Sequence, residues 1–221
     1  MDSKIVNKSI REKIKPLLEE QGFSKFTPRS AWRYRNNRIN VINFQSFNSY
    51  LAESIGCTTF SFSVNLGCFL LYVPRRVKNM KDNGGELVPK EYECQFRSRL
   101  QRTFEQKELN RKDIWYIGHK GEYVNDSIED VSKQIQQIAI PWFERLESDR
   151  EILRILKGNS EDMKTLWGFG ANPSPIRSLL TGYVALEVNE KELAKKKLME
   201  AIKSGCFNNI TNDINKLLLK V

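Results

Sequence analysis

Hydrophobic positions recur along this chain with two different periods. In the first segment, Lys4 to Gln21, Ile5, Ile10, Ile14, Leu17 and Leu18 fall near one side of a helix, while Lys8, Arg11, Lys13 and Lys15 lie mostly off it. Gly22 suits a helix C-cap, and Pro16 inside the pattern predicts a kink or a fresh helix start. From Ala31 the period drops to two. Trp32 and Tyr34 alternate with Arg33 and Arg35, Asn36-Asn37 suits a tight turn, and Arg38 to Phe47 reads as the returning strand. The clearest strand is Thr58 to Leu66, where Phe60, Phe62, Val64 and Leu66 alternate with Ser61, Ser63 and Asn65. Its continuation to Tyr72 turns apolar on both faces, and Gly67 predicts a bulge. Pro74 to Pro89 is a basic connection through Arg75, Arg76, Lys78 and Lys81. Tyr92 to Leu100 then alternates again, with Tyr92, Cys94, Phe96 and Leu100 inward and Glu93, Gln95, Arg97 and Arg99 outward. Asp113 to Ile117 reads as a short aromatic strand.

At Ser127 the period becomes helical. Ile128, Val131, Ile135 and Ile138 mark one helix that Pro141 should break; Trp142 to Lys157 marks a second, closed by Gly158, and Ser160 is placed to cap a short third. Gly168 to Pro175 has the composition of a linker or hinge. Beyond it, Ile176 to Val188 and Glu190 to Ser204 pair as a tetratricopeptide-like hairpin through a turn at Asn189, with small and large apolar residues such as Gly182 and Leu198 placed to touch. A single copy of that pattern is visible, so it is not a repeat array. The pattern as a whole predicts an α+β fold: an antiparallel sheet with helices packed on one face, followed by a helical C-terminal region. The expected division is a sheet domain over 1–126 and a helical region over 127–221.

Composition narrows the class. A chain of 221 residues can bury a core without disulfide or metal staples. Its first residues, MDSKIVNKSIREKIK, lack the apolar core of a secretory leader, and the longest apolar run, Cys68 to Val73, is far short of a membrane span. The expectation is therefore a cytoplasmic protein with no membrane partner. Cys57, Cys68, Cys94 and Cys206 are too widely spaced for a Cys-x-x-Cys site and read as reduced thiols. Charge is uneven: Lys and Arg outnumber Asp and Glu by 20 to 11 in residues 1–111, whereas residues 112–221 hold 16 of each. A basic first half attracts nucleic acid or an acidic protein, and it also keeps a protein in solution.

Chemistry is harder to find. Gly168-Phe-Gly170 lacks the third glycine of a dinucleotide loop and follows no strand. His119, the single histidine, falls in the turn Gly118-His-Lys-Gly121, and no serine stands in a nucleophile-elbow context. Glu91 and Glu93 flank Tyr92 near Arg97 and Arg99, which suits a metal or phosphoester site and equally suits ion pairing on a solvated face. No catalytic residue, metal ligand or cofactor is assigned. Binding is the better reading. On the predicted outer sheet face stand Arg33, Arg35, Asn43, Gln45, Asn65, Gln95, Arg97 and Arg99, with Ser61 and Ser63 between them. Guanidinium and amide groups on a rigid sheet recognise phosphates, base edges and acidic side chains, although any solvated sheet face must be polar. Trp32 and Tyr34 alternate toward the predicted core, so no stacking platform supports nucleic acid and charge alone speaks for it.

Several motifs in order resemble a bacterial family known as domain of unknown function 4304. They are Leu17-Leu18-Glu-Glu-Gln-Gly22-Phe23, Trp32-Arg-Tyr-Arg35, Ile39-Asn-Val-Ile-Asn-Phe-Gln45, Phe62-Ser-Val-Asn65-Leu-Gly67, Glu93-Cys94-Gln95-Phe-Arg97, Asp113-Ile-Trp115-Tyr and Ile140-Pro141-Trp142-Phe143. The similarity spans about Ile10 to Leu156, with the C-terminal hairpin as an extension. It implies an α+β fold and singles out Arg35, Asn43, Gln45, Asn65 and Arg97, but it carries no activity; its implied setting is toxin immunity or phage defence. The resulting expectation is a cytoplasmic interaction module with a protein partner. The alternatives are a nucleic-acid binder using the basic half and a metal-dependent phosphoester hydrolase.

Overall fold

The computed structural model describes residues 4–74, 82–158 and 165–219. The basic run 75–81 and the Ser160 cap lie outside the described residues. At the N-terminus, α1 (Lys4–Ser9) passes through a π turn (Ile10–Ile14) into α2 (Lys15–Glu20). The buried stripe is Val6, Ile10, Ile14 and Leu18, and Ile5, expected on it, is 45% exposed. A four-residue spacing drifts around a 3.6-residue helix, and the wider π turn offsets that drift. The helix ends as its sequence predicts. Gly22 adopts φ 82°, its N–H bonds Glu19 O, and Phe23 N–H bonds Leu18 O, so Phe23 folds back onto the apolar side.

Strands β1 (Lys25–Phe26), β2 (Ser30–Arg35) and β3 (Arg38–Ser46) lead to α3 (Ser49–Ile55), which the strand pattern did not announce. Asn48 caps α3 through Leu51 N–H at 2.8 Å, and Gly56 closes it at φ 81°. Next come β4 (Phe62–Leu70), a small hairpin of β5 (Asp82–Asn83) and β6 (Glu86–Leu87), a 3₁₀ turn (Glu91–Glu93), and β7 (Phe96–Arg99). The main sheet is antiparallel in the order β1-β2-β3-β4-β7.

Two strand expectations change. Gly67 causes no bulge; β4 runs unbroken past it, and a Cβ there would lie 2.6 Å from Cys94 Sγ. The glycine is a seat for the segment before β7, which turns as 3₁₀, so the strand begins only at Phe96 and Tyr92, expected inward, is 60% exposed. Asp113 to Ile117 forms no strand and contributes a single bridge between Trp115 and Phe62.

The second long helix repeats the first one's construction. After α4 (Val124–Gln134) a π turn (Ile135–Ala139) leads into α5 (Ile140–Arg145). Each π turn ends two residues before a proline, Pro16 or Pro141, and Lys15 N–H and Ile140 N–H reach back five residues to Ile10 O and Ile135 O. Proline cannot donate and its ring crowds the carbonyl four residues back, so the widened turn lets the helix continue where a break was expected. The break comes later. Ser148 caps a separate α6 (Asp149–Lys157), and α7 (Pro175–Glu187), α8 (Lys191–Lys203) and α9 (Thr211–Leu218) follow. Gly182 lets α7 and α8 close, since a Cβ there would meet Leu198 at 2.6 Å.

These helices pack on one face of the sheet. Ala31, Ile42, Phe44, Phe62, Val64 and Leu66 meet the first two long helices, while Cys68, Leu70 and Phe96 meet α6 to α9. Gly168 to Pro175 is not a free linker at its far end. The Arg177 guanidinium, 3% exposed, donates to Ile155 O, Leu156 O, Gly158 O and Gly170 O, satisfying the C-terminal carbonyls of α6 and fixing the segment. No helix among the described residues is long and apolar enough to cross a membrane.

Candidate functional site

Strand register splits the predicted binding residues between the two faces. Ser30 pairs with Asn43, Asn43 with Asn65, and Asn65 with Arg99, so these four form one row on the face away from the helices. Arg33 instead pairs with Asn40, which pairs with Cys68 and through it with Phe96, on the helix-covered face. Arg33 and Arg35 therefore do not join Asn43, Gln45, Asn65 and Arg99. Trp32 and Tyr34 take the outer face in their place, where they pack with Ile39, Val41, Phe69, Leu87 and Cys94 in a second small core.

On the helix side, Arg33 is 2% exposed and sits 5.5 Å from the rings of both Phe23 and Phe143. It donates to Gln21 O at 3.2 Å and to Glu147 at 3.5 Å, and Asn40, with its amide oxygen turned to the guanidinium, accepts at 2.9 and 3.1 Å. Burial pulls its pKa below the ordinary arginine value. Arg35 is exposed and reaches Glu147 at 3.4 Å. Arg38, unremarked in the sequence, donates to Leu146 O and, at 2.8 Å each, to Asn37 and Asp149; Tyr72 donates to the same Asp149. Arginines on the β2–β3 hairpin thus grip the turn between α5 and α6. Their geometry holds helix to sheet.

The outer row is wired rather than open. Asn43 donates to Ser30 Oγ at 2.9 Å. Asn65 donates to Gln45 at 2.8 Å and accepts from Arg99 Nε at 2.6 Å, while Arg99 Nη1 donates to Asp113 at 2.7 Å. Arg111 binds the same carboxylate through two nitrogens, and Ser63 Oγ donates to the Asp113 carbonyl. Burial pushes the Asp113 carboxyl up, but the hydrogen bonds from Arg111 and Arg99 outweigh it and leave its pKa below the ordinary value. This chain of side chains straps the loop carrying Asp113 across the sheet, which is why Ser63 and Asn65 are buried where a solvated face was expected.

Gln95 precedes β7 and extends the ladder with its amide, accepting from Leu70 N–H at 2.9 Å. Arg97 donates through Nε at 2.6 Å and Nη2 at 3.3 Å to Glu91, itself 6% exposed. Glu93 accepts from Lys90 N–H at 2.6 Å and caps the 3₁₀ turn. The two carboxylates considered for a metal or phosphoester site thus have separate structural partners. His119 is exposed and stands edge-on to Phe60. All four cysteines are free thiols, and burial pushes Cys68 up to about 12.

The wired row ends at Arg99 in a broad cleft of about 1000 Å³ that also holds Lys112, Ile138, Trp142, Arg145 and Trp167. Several elements meet here. The second π turn presents Ile138, 50% exposed, and the Trp167 backbone pairs with Arg97 at the sheet edge. Trp142 Nε1 is buried without an acceptor among the described residues. In the sequence pattern Trp142 only opens a helix and Trp167 carries no signal, because nothing local shows that residues 70 positions from Arg97 complete its edge.

No curated protein and no solved structure matches the chain. The family model described as a domain of unknown function, DUF4304, matches residues 14–145. That span holds the whole sheet, the arginines of both arrangements and the second proline-bearing helix, and it stops at the last residue of α5, just before the Leu146, Glu147 and Asp149 that the hairpin arginines bind. The chain belongs to the DUF4304 family.

Proposed function

We propose that this domain is a non-catalytic recognition module that docks an acidic protein segment in the cleft at the β7 edge of the sheet. One observation carries the reading: Arg99, held by Asn65 and Asp113, shares a broad cleft with Lys112, Arg145, two tryptophans and the exposed Ile138. Tryptophan and arginine around an apolar point are the residues that dominate protein–protein contacts. Among the lining residues three cations face one carboxylate, Asp113, while Glu105 and Glu151 pair with Lys112 and Arg145 from outside the lining, and an acidic segment entering the cleft would compete for these cations. In the bacterial toxin-immunity or phage-defence setting that the family resemblance implies, and in the cytoplasm, such a partner is another protein.

A second reading draws on the same tryptophans, since aromatic rings in a cationic cleft also suit single-stranded nucleic acid. The hydrolase alternative has lost its footing, because Glu91 is bound by Arg97 and Glu93 caps a turn. The deciding test is fluorescence anisotropy with a labelled peptide of repeating Glu-Leu, run beside labelled RNA and single- and double-stranded DNA at low and physiological salt. Saturable peptide binding that Lys112→Glu and Ile138→Glu abolish, both at exposed positions, supports the proposal. Oligonucleotide binding that falls steeply with salt moves the cleft to nucleic acid. If nothing binds at low salt, both readings fail.

A further inference from the structure

We propose that a second cleft, between the N-terminal helix and the β1–β2 edge of the sheet, binds a small carboxylate with an apolar body. This cleft holds about 510 Å³, within the ordinary range for a small-molecule site. Its lining shares no residue with the cleft beside β7, so the two readings stand or fall separately.

The lining has two chemistries. Ile10, Leu18, Phe26, Pro28, Ala31 and Phe44 supply an apolar floor. Lys8, Arg11 and Lys15 stand around it, all from the helix that carries the first π turn. Lys8 and Lys15 lean toward Glu12 at 3.9 Å and Glu19 at 3.5 Å, long exposed pairs that water screens almost completely. Arg11 makes no hydrogen bond or ion pair among the described residues. Lys15 Nζ also lies 5.1 Å from the Phe26 ring centroid, which places its charge against a wall of the cleft.

An occupant that satisfies both parts needs an apolar body for the floor and one anionic group for the rim. A bare phosphate would leave the floor wet, and an uncharged alkane or alcohol would leave Arg11 without an ionic partner among the described residues. A carboxylate fits the planar fork of a guanidinium, and Arg11 is the cation with no competing acid. The first π turn contributes Ile10 to the floor and Arg11 to the rim in consecutive positions.

The test is calorimetric titration of the full chain with octanoate, 1-octanol and inorganic phosphate. Octanoate is expected to bind saturably at one site, octanol at least about tenfold more weakly, and phosphate not at all. Arg11→Ala, at an exposed helical position where alanine is well tolerated, is expected to weaken octanoate about tenfold and leave octanol unchanged. The proposal is overturned by a failure to bind octanoate, by equal binding of octanol, or by octanoate binding that survives Arg11→Ala.

Discussion

Cys94 occupies the space that a side chain at Gly67 would need. A Cβ on Gly67 would lie 2.6 Å from Cys94 Sγ and 3.3 Å from Glu91 Cα, so the missing methyl in the middle of β4 is what lets the 3₁₀ turn lie against the sheet. Gly67→Ala should therefore destabilise the fold by about 1–3 kcal/mol, although alanine is the better strand residue. Urea unfolding of Gly67→Ala, of Cys94→Ala and of the double variant checks this. The second change removes the sulfur, so the pair should cost less than the two singles summed.

Arg33 and Arg35, two residues apart on one strand, should respond very differently to truncation. Arg33 is 2% exposed between two phenylalanine rings, and its loss leaves Asn40 and the Gln21 carbonyl without a donor. Arg33→Ala should cost about 2–4 kcal/mol. Arg35→Ala removes an exposed ion pair with Glu147 and should cost less than about 1 kcal/mol. Equal costs in chemical denaturation would contradict the register described for β2.

Acid should weaken the protein partly through Glu151. Hydrogen bonds from Arg154 and then Arg145 hold its pKa at about 2, against an ordinary 4.5. Because the folded value is the lower one, the carboxylate stabilises the fold above pH 4.5, and that contribution drains away as pH falls toward 2. Glu151→Gln should lower stability at neutral pH and flatten the acid limb in that window. Thermal unfolding measured every half unit of pH from 7 to 2 would show whether the two curves converge at the acid end.

Arg177 closes the C-terminal end of α6 with three carbonyl contacts and holds Gly170 O with a fourth, all from one planar group. Lysine cannot reproduce that fork. Arg177→Lys should cost about 2–3 kcal/mol. Limited proteolysis should then cut within residues 168–175 at protease levels that leave the parent protein intact.

Local pattern determined much of this protein. The alternation from Phe62 to Leu66, the apolar stripe through Ile10, Ile14 and Leu18, the Gly22 cap and the Gly182–Leu198 approach in the C-terminal hairpin all follow from residue type and spacing. Each depends on backbone geometry within one or two elements, which is the information a short stretch of sequence carries. Proline by itself predicts a kink or fresh start at Pro16 and a break at Pro141, because the pattern around them does not show that a π turn accommodates each one.

Which residues share a surface was decided by the tertiary structure. Alternation states that Trp32 and Tyr34 oppose Arg33 and Arg35, but it does not state which pair joins the row of Asn43 and Asn65. The register that sets Ser30 opposite Asn43 puts the tryptophan there and sends the arginine into the core. A slip of one residue would have exchanged them, since strand side chains change face at every step. For the same reason the clefts beside β7 and beneath the N-terminal helix appear only when segments far apart in the chain are brought together.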